Sequence, residues 1–232
     1  MSTASVVKKN DYPTTDGRPM AETDIHRDDM HDLIGSLKNF FAFDPLVYVS
    51  GNLLLYYVPG NKRKHVSPDV FVVKGVEKRL RDNYLLWEEG KGPDAAIELT
   101  SSSTRAEDTK KKFLLYQDVL KVPEYFLFDP KDDYLDPPLQ GYRLVKGKYA
   151  PIRPVLGRLP STVLGLHLER HGHELRLFDP RNNRWLPTPA EAAKLAAADL
   201  RESEIIRLKQ EAEIAKLRLE NELLKRGSAP HS

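Results

Sequence analysis

The sequence contains no cysteine, no hydrophobic run long enough to cross a membrane, and no large excess of charge of one sign. The missing cysteines exclude disulfides and thiolate zinc sites, and they are compatible with a reducing cytosol. Residues 1–20 lack the apolar core of a signal peptide, and no later segment approaches the length of a membrane span. The sequence therefore predicts a soluble cytoplasmic protein that contacts no membrane.

The charge balance limits how the protein can bind nucleic acid. Its 36 basic and 34 acidic residues give a formal net charge of +2, which excludes the overall positive field of a tight nonspecific binder. Any affinity for phosphate must therefore be local. Neither a glycine-rich phosphate loop nor a G-x-S-x-G nucleophile motif occurs, so Ser101–Ser103 are interpreted as loop and cap residues.

The first third of the chain predicts an arm and a helix. With 232 residues, 40% of them hydrophobic, the chain can form one domain with a core and an appendage. Residues 1–23 are polar and aperiodic, which predicts a flexible arm. A helix is predicted to start at Asp24 as its cap and to end before Asp44-Pro45. Its apolar residues recur at helical spacing: Met30, Leu33, Ile34, Leu37, Phe40 and Phe41.

Strand signals follow this helix. Residues 47–57 are rich in β-branched and aromatic residues, with a turn or bulge at Gly51-Asn52, and a basic loop over residues 59–65 leads to a strand at 69–73. Residues 76–92 carry mixed charges and are interpreted as a loop rather than a short helix. Two aromatic residues are predicted to anchor that loop: Tyr84 and Trp87.

The central segment predicts a strand, a helix and a second strand. Ala95–Leu99 is apolar except for Glu98, as in a strand buried on both faces. Thr104–Glu107 matches a capping box and predicts a helix that runs to about Leu120. A strand over residues 124–129 follows. This order indicates a crossover in a mixed sheet and hence the α/β class.

The C-terminal part predicts hairpins and then one long helix. The hairpins pair residues 142–145 with 149–152 and residues 163–168 with 174–178, and either extend the sheet or cap it. The second hairpin turns at His171-Gly172-His173. From Pro189 the composition predicts a helix without glycine or proline until Gly227, followed by a flexible tail.

The long helix carries a weak heptad seam. Its residues step by three and four: Ile205, Leu208, Ala212, Ala215 and Leu219. The helix could lie alone against the domain, or it could form a coiled coil that joins two copies. Charged residues around the seam favour the coiled coil, and so a homodimer or another homo-oligomer. The predicted domains are an arm (1–23), a core domain (24–186), the helix (187–226) and a tail (227–232).

A set of motifs in fixed order carries a resemblance to a known family. The motifs are Pro68-Asp69, Ile97-Glu98-Leu99, Ser103-Thr104, Asp108, Lys112, Tyr116, Val122-Pro123-Glu124-Tyr125 and Phe128-Asp129-Pro130. Over about residues 24–186 the chain resembles the putative restriction endonuclease family within the PD-(D/E)XK nuclease superfamily. The resemblance implies a restriction-endonuclease-like core, with a helix, three strands, a crossover helix and a further strand.

The resemblance also implies a metal-dependent site. Asp69 and Glu98 would be ligands of Mg²⁺, with Mn²⁺ as a substitute and the backbone carbonyl of Leu99 as a third ligand. A hard cation bound there would neutralise phosphate charge and lower the pKa of an attacking water. The superfamily's simplest pattern has a lysine two residues after the glutamate, where this chain has Thr100. By resemblance, Lys112 on the following helix takes that catalytic role.

The remaining candidate residues have supporting roles. Asp108 shares a helix face with Lys112 and Tyr116, but Asp108 can simply favour the helix dipole and Tyr116 can be a core residue. The candidate phosphate contacts are His65, Lys62, Arg63, Lys64, Arg105, Lys110 and Lys111. The other histidines, among them His26 and His31, are interpreted as surface or turn residues.

Two functional hypotheses remain open from the sequence. The first is a Mg²⁺-dependent endonuclease that acts on DNA through Asp69, Glu98 and Lys112. The second is a nucleic-acid-binding or assembly module with the same fold, little or no turnover and oligomerisation through its C-terminal helix, and Thr100 is the residue that favours it. A Lys112 side chain that pointed away from widely separated carboxylates would exclude the enzyme.

Overall fold

The computed structural model describes residues 12–15, 17, 23–101 and 104–227, with side chains up to residue 221. Most of the predicted arm and residues 228–232 of the predicted tail lie outside these ranges, as does Ser103. The chain divides into two compact units, Met1–Leu186 and Pro187–Ser232. Within the described ranges, no helix combines the length and the hydrophobicity needed to span a membrane.

The helices are α1 (Asp24–Phe40), α2 (Leu86–Glu89), α3 (residues 105–120) and α4 (Pro189–Gly227). The strands are β1 (Val47–Ser50), β2 (Leu55–Tyr56), β3 (His65–Val66), β4 (Val70–Lys74), β5 (Tyr84–Leu85), β6 (Ala95–Leu99), β7 (Glu124–Phe128), β8 (Leu139–Val145), β9 (Lys148–Pro151), β10 (Leu159–Ser161), β11 (Leu166–His171), β12 (Glu174–Asp179) and β13 (Arg184–Trp185).

A six-stranded mixed sheet forms the centre of the first unit, in the order β1-β4-β6-β7-β8-β9. Strands β6 and β7 are parallel and are connected through α3, whereas the other neighbouring pairs of this sheet are antiparallel. The fold is therefore α/β with a mixed sheet flanked by helices, as the sequence predicts. The predicted β8–β9 hairpin extends this sheet.

Side chains alternate between the two faces of the central sheet and form two layers of core. On β6, Ile97 and Leu99 pack with Leu33 and Leu37 of α1, while Ala96 packs on the opposite face with Tyr116 of α3. Side chains two residues apart on a strand share a face. Glu98 therefore points to the α3 side of the sheet. Asp69, the residue before β4, lies on the same side, because Phe71 two residues later packs in the α3 layer.

Helix α1 begins one residue earlier than predicted. Its cap is Thr23, whose side-chain oxygen accepts a hydrogen bond from the His26 amide, so Asp24 lies inside the first turn. The helix ends at Phe40, before Asp44-Pro45, as predicted. Threonine is a good cap because its hydroxyl satisfies an amide that the helix leaves unpaired.

The predicted strand over residues 47–57 is divided at Gly51. Strand β1 joins the central sheet, whereas β2 pairs with β3 and β5 in a separate three-stranded sheet. A Cβ atom on Gly51 would lie 2.0 Å from the carbonyl oxygen of Asp69. Only glycine allows the two backbones to approach so closely at the point where the chain leaves the central sheet.

The interpretation of residues 76–92 as a loop is wrong in part. The segment contains β5, which pairs in parallel with β2, and the single helical turn α2. Tyr84 and Trp87 do anchor it: Tyr84 is fully buried and donates a hydrogen bond to the Lys91 carbonyl, and Trp87 packs against the ring of Tyr12. A two-residue strand is too short to produce a periodic sequence signal.

Helix α3 starts where predicted, but its capping box is not formed. The Thr104 hydroxyl accepts a hydrogen bond from the Ser101 amide, and the Glu107 side chain pairs with Lys111. Two π-type segments, Glu107–Lys112 and Leu115–Leu120, follow. Their i→i+5 bonding makes each turn wider than in an α-helix, and Asp108 and Lys112, four residues apart, remain in contact on one face.

The second predicted hairpin forms part of its own four-stranded sheet. The sheet has the order β10-β11-β12-β13 and shares the core layer of α1. Strand β11 begins at Leu166 rather than at Val163, and β10 was not predicted. Because β11 pairs His171 with Glu174, the turn is Gly172-His173. These strands thus cap the central sheet.

The second unit consists largely of α4. Thr188 and Glu191 form a reciprocal capping box, in which each side chain accepts a hydrogen bond from the other residue's amide. Ile205, Leu208 and Leu219 of the predicted seam are each more than half exposed within this chain.

Candidate active site

Strand pairing brings Asp69 and Glu98 into contact. Asp69 directly precedes β4, and its neighbour Val70 faces Ile97 across the antiparallel β4–β6 pair. The Asp69 amide donates a hydrogen bond to Glu98 Oε2 (3.2 Å), and the Leu99 amide donates one to Asp69 Oδ2 (2.8 Å). The two carboxylates predicted to meet are therefore fixed to each other through the backbone.

Helix α3 places a cation and two hydrogen-bonding groups beside this pair. Lys112 Nζ lies 2.7 Å from Glu98 Oε2 and 3.2 Å from Asp108 Oδ1. Tyr116 donates its hydroxyl hydrogen to Glu98 Oε1 (2.7 Å). Asp108 thus contacts the cationic group of the site in addition to lying in the first helical turn, and Tyr116 is both a core residue and a partner of Glu98.

Burial and crowded charge control protonation at the site. Burial is the main cause that raises the pKa of Glu98 to about 8, and Asp69 and Asp108 add to the rise against the attraction of Lys112. Burial alone lowers the pKa of Lys112, but the three carboxylates outweigh it and raise the pKa above its usual value. Burial also raises the pKa of Asp69, yet His26 and Lys112 together bring it below its usual value. Lys112 therefore stays protonated.

Thr100 occupies the position where the superfamily pattern has a lysine. Its side chain is buried and hydrogen-bonds the hydroxyl of Tyr134, with Thr104 close by. Thr100 therefore supplies a hydroxyl and no charge. The positive charge near Glu98 comes from Lys112 on the next element.

His26 is a site residue that the sequence interpretation missed. Its Nε2 lies 3.7 Å from Asp69 Oδ1, and its side chain is only 18% exposed. The first turn of α1 delivers it to the site, whereas His31 on the same helix is 73% exposed. No local pattern links His26 to Asp69, because α1 and β4 meet only through tertiary packing.

A cleft of about 820 Å³ opens from this site between α3 and the β2–β3 turn, residues 57–64. We call residues 57–64 the basic turn. Four of the predicted phosphate contacts line the cleft together with Lys112: Arg63, Lys64, His65 and Lys111. The other three lie elsewhere: Lys62 is over the ring of Tyr12, Arg105 is over the ring of Tyr134, and Lys110 is exposed on α3.

The residues fit a hard divalent cation in charge and in ligand type. Asp69, Glu98 and Asp108 together carry more negative charge than Lys112 offsets, and their oxygens are the ligand type that Mg²⁺ prefers. In the arrangement that the described residues adopt, no group of three or more acidic or histidine side chains is preformed to hold a metal ion. One or two carboxylates plus waters are the usual set for Mg²⁺, so Asp69 and Glu98 are the residues that would hold it.

The fold is an α/β fold whose mixed sheet brings two carboxylates and a lysine together. The model of the Uma2 family, described as "Putative restriction endonuclease", matches residues 9–186, and the chain belongs to that family. No curated protein matches the chain. A crystal structure described as that of a "putative nuclease belonging to DUF820" from Anabaena variabilis is similar, with a TM-score of 0.48 and 17% identity, and the match covers 65% of this chain and 80% of that one.

Proposed function

We propose that this protein is a metal-dependent endonuclease that hydrolyses DNA phosphodiester bonds in the cytoplasm. The observation that carries the proposal is the fully buried carboxylate of Glu98, which contacts both the Asp69 amide and the protonated Lys112, while Lys112 also lines a cationic cleft. A bound Mg²⁺ or Mn²⁺ would neutralise phosphate charge and lower the pKa of the attacking water.

Each residue of the site has a distinct part in this reaction. Asp69 and Glu98 would hold the metal, with the Leu99 carbonyl as a third ligand. Lys112 is not a general base, because its neighbours hold its pKa above the usual value; it acts as a fixed positive charge that stabilises charge developing on the phosphate. Tyr116, whose own pKa burial and Glu98 raise, stays a hydrogen-bond donor that orients Glu98.

The cleft walls supply the phosphate-binding charge. Arg63 and Lys64 lie on the basic turn and Lys111 lies opposite on α3, so a strand in the cleft has cations on both sides. Such contacts bind the sugar-phosphate backbone and read no bases. This local charge explains how a chain of nearly balanced charge can bind DNA.

The second candidate function is a DNA-binding module with little turnover. Thr100 supports it, and so does Lys112, which is engaged with both Glu98 and Asp108. Lys112 nevertheless points into the site, which is not the arrangement that would exclude an enzyme. Cleavage of plasmid and single-stranded DNA in Mg²⁺ or Mn²⁺ separates the two candidates: binding without metal-dependent cleavage would leave only the module.

We expect His26→Ala to weaken Mg²⁺ and Mn²⁺ binding by about 10-fold at neutral pH, the size of effect usual for a residue that supports a metal ligand. His26 lies 3.7 Å from Asp69 Oδ1 and helps to hold this carboxylate in place, so its loss leaves the proposed ligand less well oriented. Isothermal titration with each metal measures the change. His31→Ala is the matched control, and equal affinity in both variants would contradict a role for His26.

We also propose that α4 joins two copies of the chain through its heptad seam. Deletion of residues 189–232 is expected to lower the mass in solution to that of a monomer and to leave the first unit folded. Leu208→Glu, on the seam, should have the same effect because it buries a charge in the interface. Leu217→Glu is the matched control, because Leu217 lies off the seam and its side chain is about as exposed as that of Leu208. Light scattering that found the same number of chains per particle in all four proteins would exclude the coiled coil.

A further inference from the structure

Tyr12 and Pro13 are hydrogen-bonded to the basic turn, to β2 and to the residue before β5. The Tyr12 hydroxyl accepts a hydrogen bond from the Gly60 amide (2.7 Å), and the Tyr12 carbonyl accepts one from Asn83 Nδ2 (3.2 Å). The next carbonyl, of Pro13, accepts one from the Tyr56 hydroxyl (2.8 Å). Although the sequence predicts a flexible arm here, these bonds hold the segment against the three-stranded sheet.

The Tyr12 ring contacts strand β2, helix α2 and the basic turn. It packs edge-on against Tyr56 of β2, with ring centroids 4.8 Å apart, and against Trp87 of α2, with centroids 5.2 Å apart. The ammonium group of Lys62, on the basic turn, lies 5.9 Å from the ring centroid. Tyr12 therefore touches the basic turn at two points, through its hydroxyl and through its ring.

The basic turn has little packing but has hydrogen bonds of its own, among them the Tyr57 amide to the Lys64 carbonyl and the Asn61 amide to the Val58 carbonyl. Strands β2 and β3 have two residues each, so their pairing fixes only the base of the turn. Residues 58–64 of the turn are exposed. The turn nevertheless supplies Arg63 and Lys64 to the cleft, and these side chains can bind phosphates only if the turn stays in place.

We propose that Tyr12 is a positioning residue for nucleic-acid binding, which holds the basic turn so that Arg63 and Lys64 face phosphates in the cleft. The inference rests on the proposed function. Tyr12 does not line the cleft, and it acts through the turn. Its contribution should therefore appear in the number of phosphates bound as well as in stability.

The test measures how binding depends on salt. A short labelled duplex and its single strand are titrated by fluorescence anisotropy over a KCl series, with Ca²⁺ in place of Mg²⁺ to prevent cleavage. Tyr12→Ala is expected to weaken binding by about 5- to 10-fold, and to reduce the slope of log affinity against log salt by about 1 to 2, since each lost phosphate contact removes about 0.9. Amide exchange of residues 57–64 should become faster.

Two further variants separate positioning from stability. Tyr12→Phe keeps the ring and loses the bond to Gly60, so its salt slope should fall between wild type and Tyr12→Ala. Trp185→Ala removes a comparable aromatic contact, with Phe178 in the four-stranded sheet, and should lower the melting temperature without changing the slope.

The salt slopes of the variants test the positioning role, and DNA binding by the wild-type protein tests the proposed function. A wild-type slope in Tyr12→Ala, or an equal loss of slope in Trp185→Ala, overturns the positioning role and leaves the proposed function standing. If the wild-type protein binds neither the duplex nor the single strand, the proposed function is overturned, and the positioning role with it.

Discussion

Glu98→Gln is expected to lower the rate of DNA cleavage by more than about 100-fold in both Mg²⁺ and Mn²⁺. Loss of a residue that only supports a metal ligand costs about 10- to 100-fold, and Glu98 is proposed as a ligand itself. Glutamine has nearly the same size, and its oxygen can still accept the hydrogen bond from Tyr116. Its amide nitrogen cannot accept the bonds that Lys112 and the Asp69 amide donate to the other oxygen, so the variant should lose some stability. Denaturant unfolding checks that it is folded, and nicking of supercoiled plasmid measures the loss of activity.

The control for this variant is Glu89→Gln. Glu89 is another largely buried glutamate, 9% exposed, and it pairs with Arg79 and Arg81 away from the cleft. Its replacement should cost stability and leave cleavage unchanged. Full cleavage by Glu98→Gln at wild-type rates would exclude the proposed site.

The raised pKa of Glu98 also predicts a pH dependence. A metal ion must displace the proton that Glu98 holds below pH about 8. Metal affinity in wild type is therefore expected to rise with pH up to that value, and the Glu98→Gln variant should lose most of this dependence. Titration calorimetry at several pH values measures both.

Lys112→Ala is expected to cost about 3–5 kcal/mol of stability and to abolish cleavage. Removing one partner of a buried ion pair leaves the other charge without compensation, which is the costly case. Here two carboxylates, Glu98 and Asp108, lose their cation. Denaturant unfolding and the plasmid assay measure the two effects.

The stability loss in Lys112→Ala should depend on pH in a defined direction. The folded-state pKa of Glu98 already exceeds its ordinary value of 4.5, and it rises further without Lys112. A carboxyl group with a raised folded-state pKa stabilises the fold at low pH, and that stability is lost as pH rises through the interval between the two values. Wild type also holds this proton up to pH about 8, so the two proteins lose stability in parallel up to that pH and diverge only above it. The deficit of the variant should thus be larger near pH 9.5 than near pH 7.

Lys110→Ala is the matched control, since Lys110 is an exposed lysine on the same helix. Exposed charges away from special contacts change stability by less than about 0.5 kcal/mol. Equal stability of the Lys110 and Lys112 variants at both pH values would contradict the buried network.

Local sequence patterns were sufficient for the order of the main elements. A helical period, a buried apolar run and a proline-bounded strand are short-range signals, and α1, β4, β6, α3 and β7 lie where those signals place them. Glu98 was predictable as a functional residue for an energetic reason: a carboxylate in an apolar strand is too costly to bury without partners. The structure supplies those partners in Lys112, Tyr116 and the Asp69 amide.

Other features depended on contacts between distant segments. β5 is a strand only because β2 lies beside it, and the short strand β10 is defined by its pairing with β11. Thr104–Glu107 matched a capping box, but the box formed instead at Thr188 and Glu191. The pattern identifies residues that can cap, and the surrounding backbone decides which ones do.

The sequence by itself predicted the class of the fold and the meeting of Asp69 with Glu98, and the family resemblance implied Lys112 as the residue that replaces the usual lysine where Thr100 stands. Only the tertiary structure showed that His26 faces Asp69 and that Tyr12 holds the basic turn. The physical reason is the range of the interactions. Periodicity and burial cost act on neighbours along the chain, whereas His26 and Tyr12 meet their partners only after sheets and helices have packed.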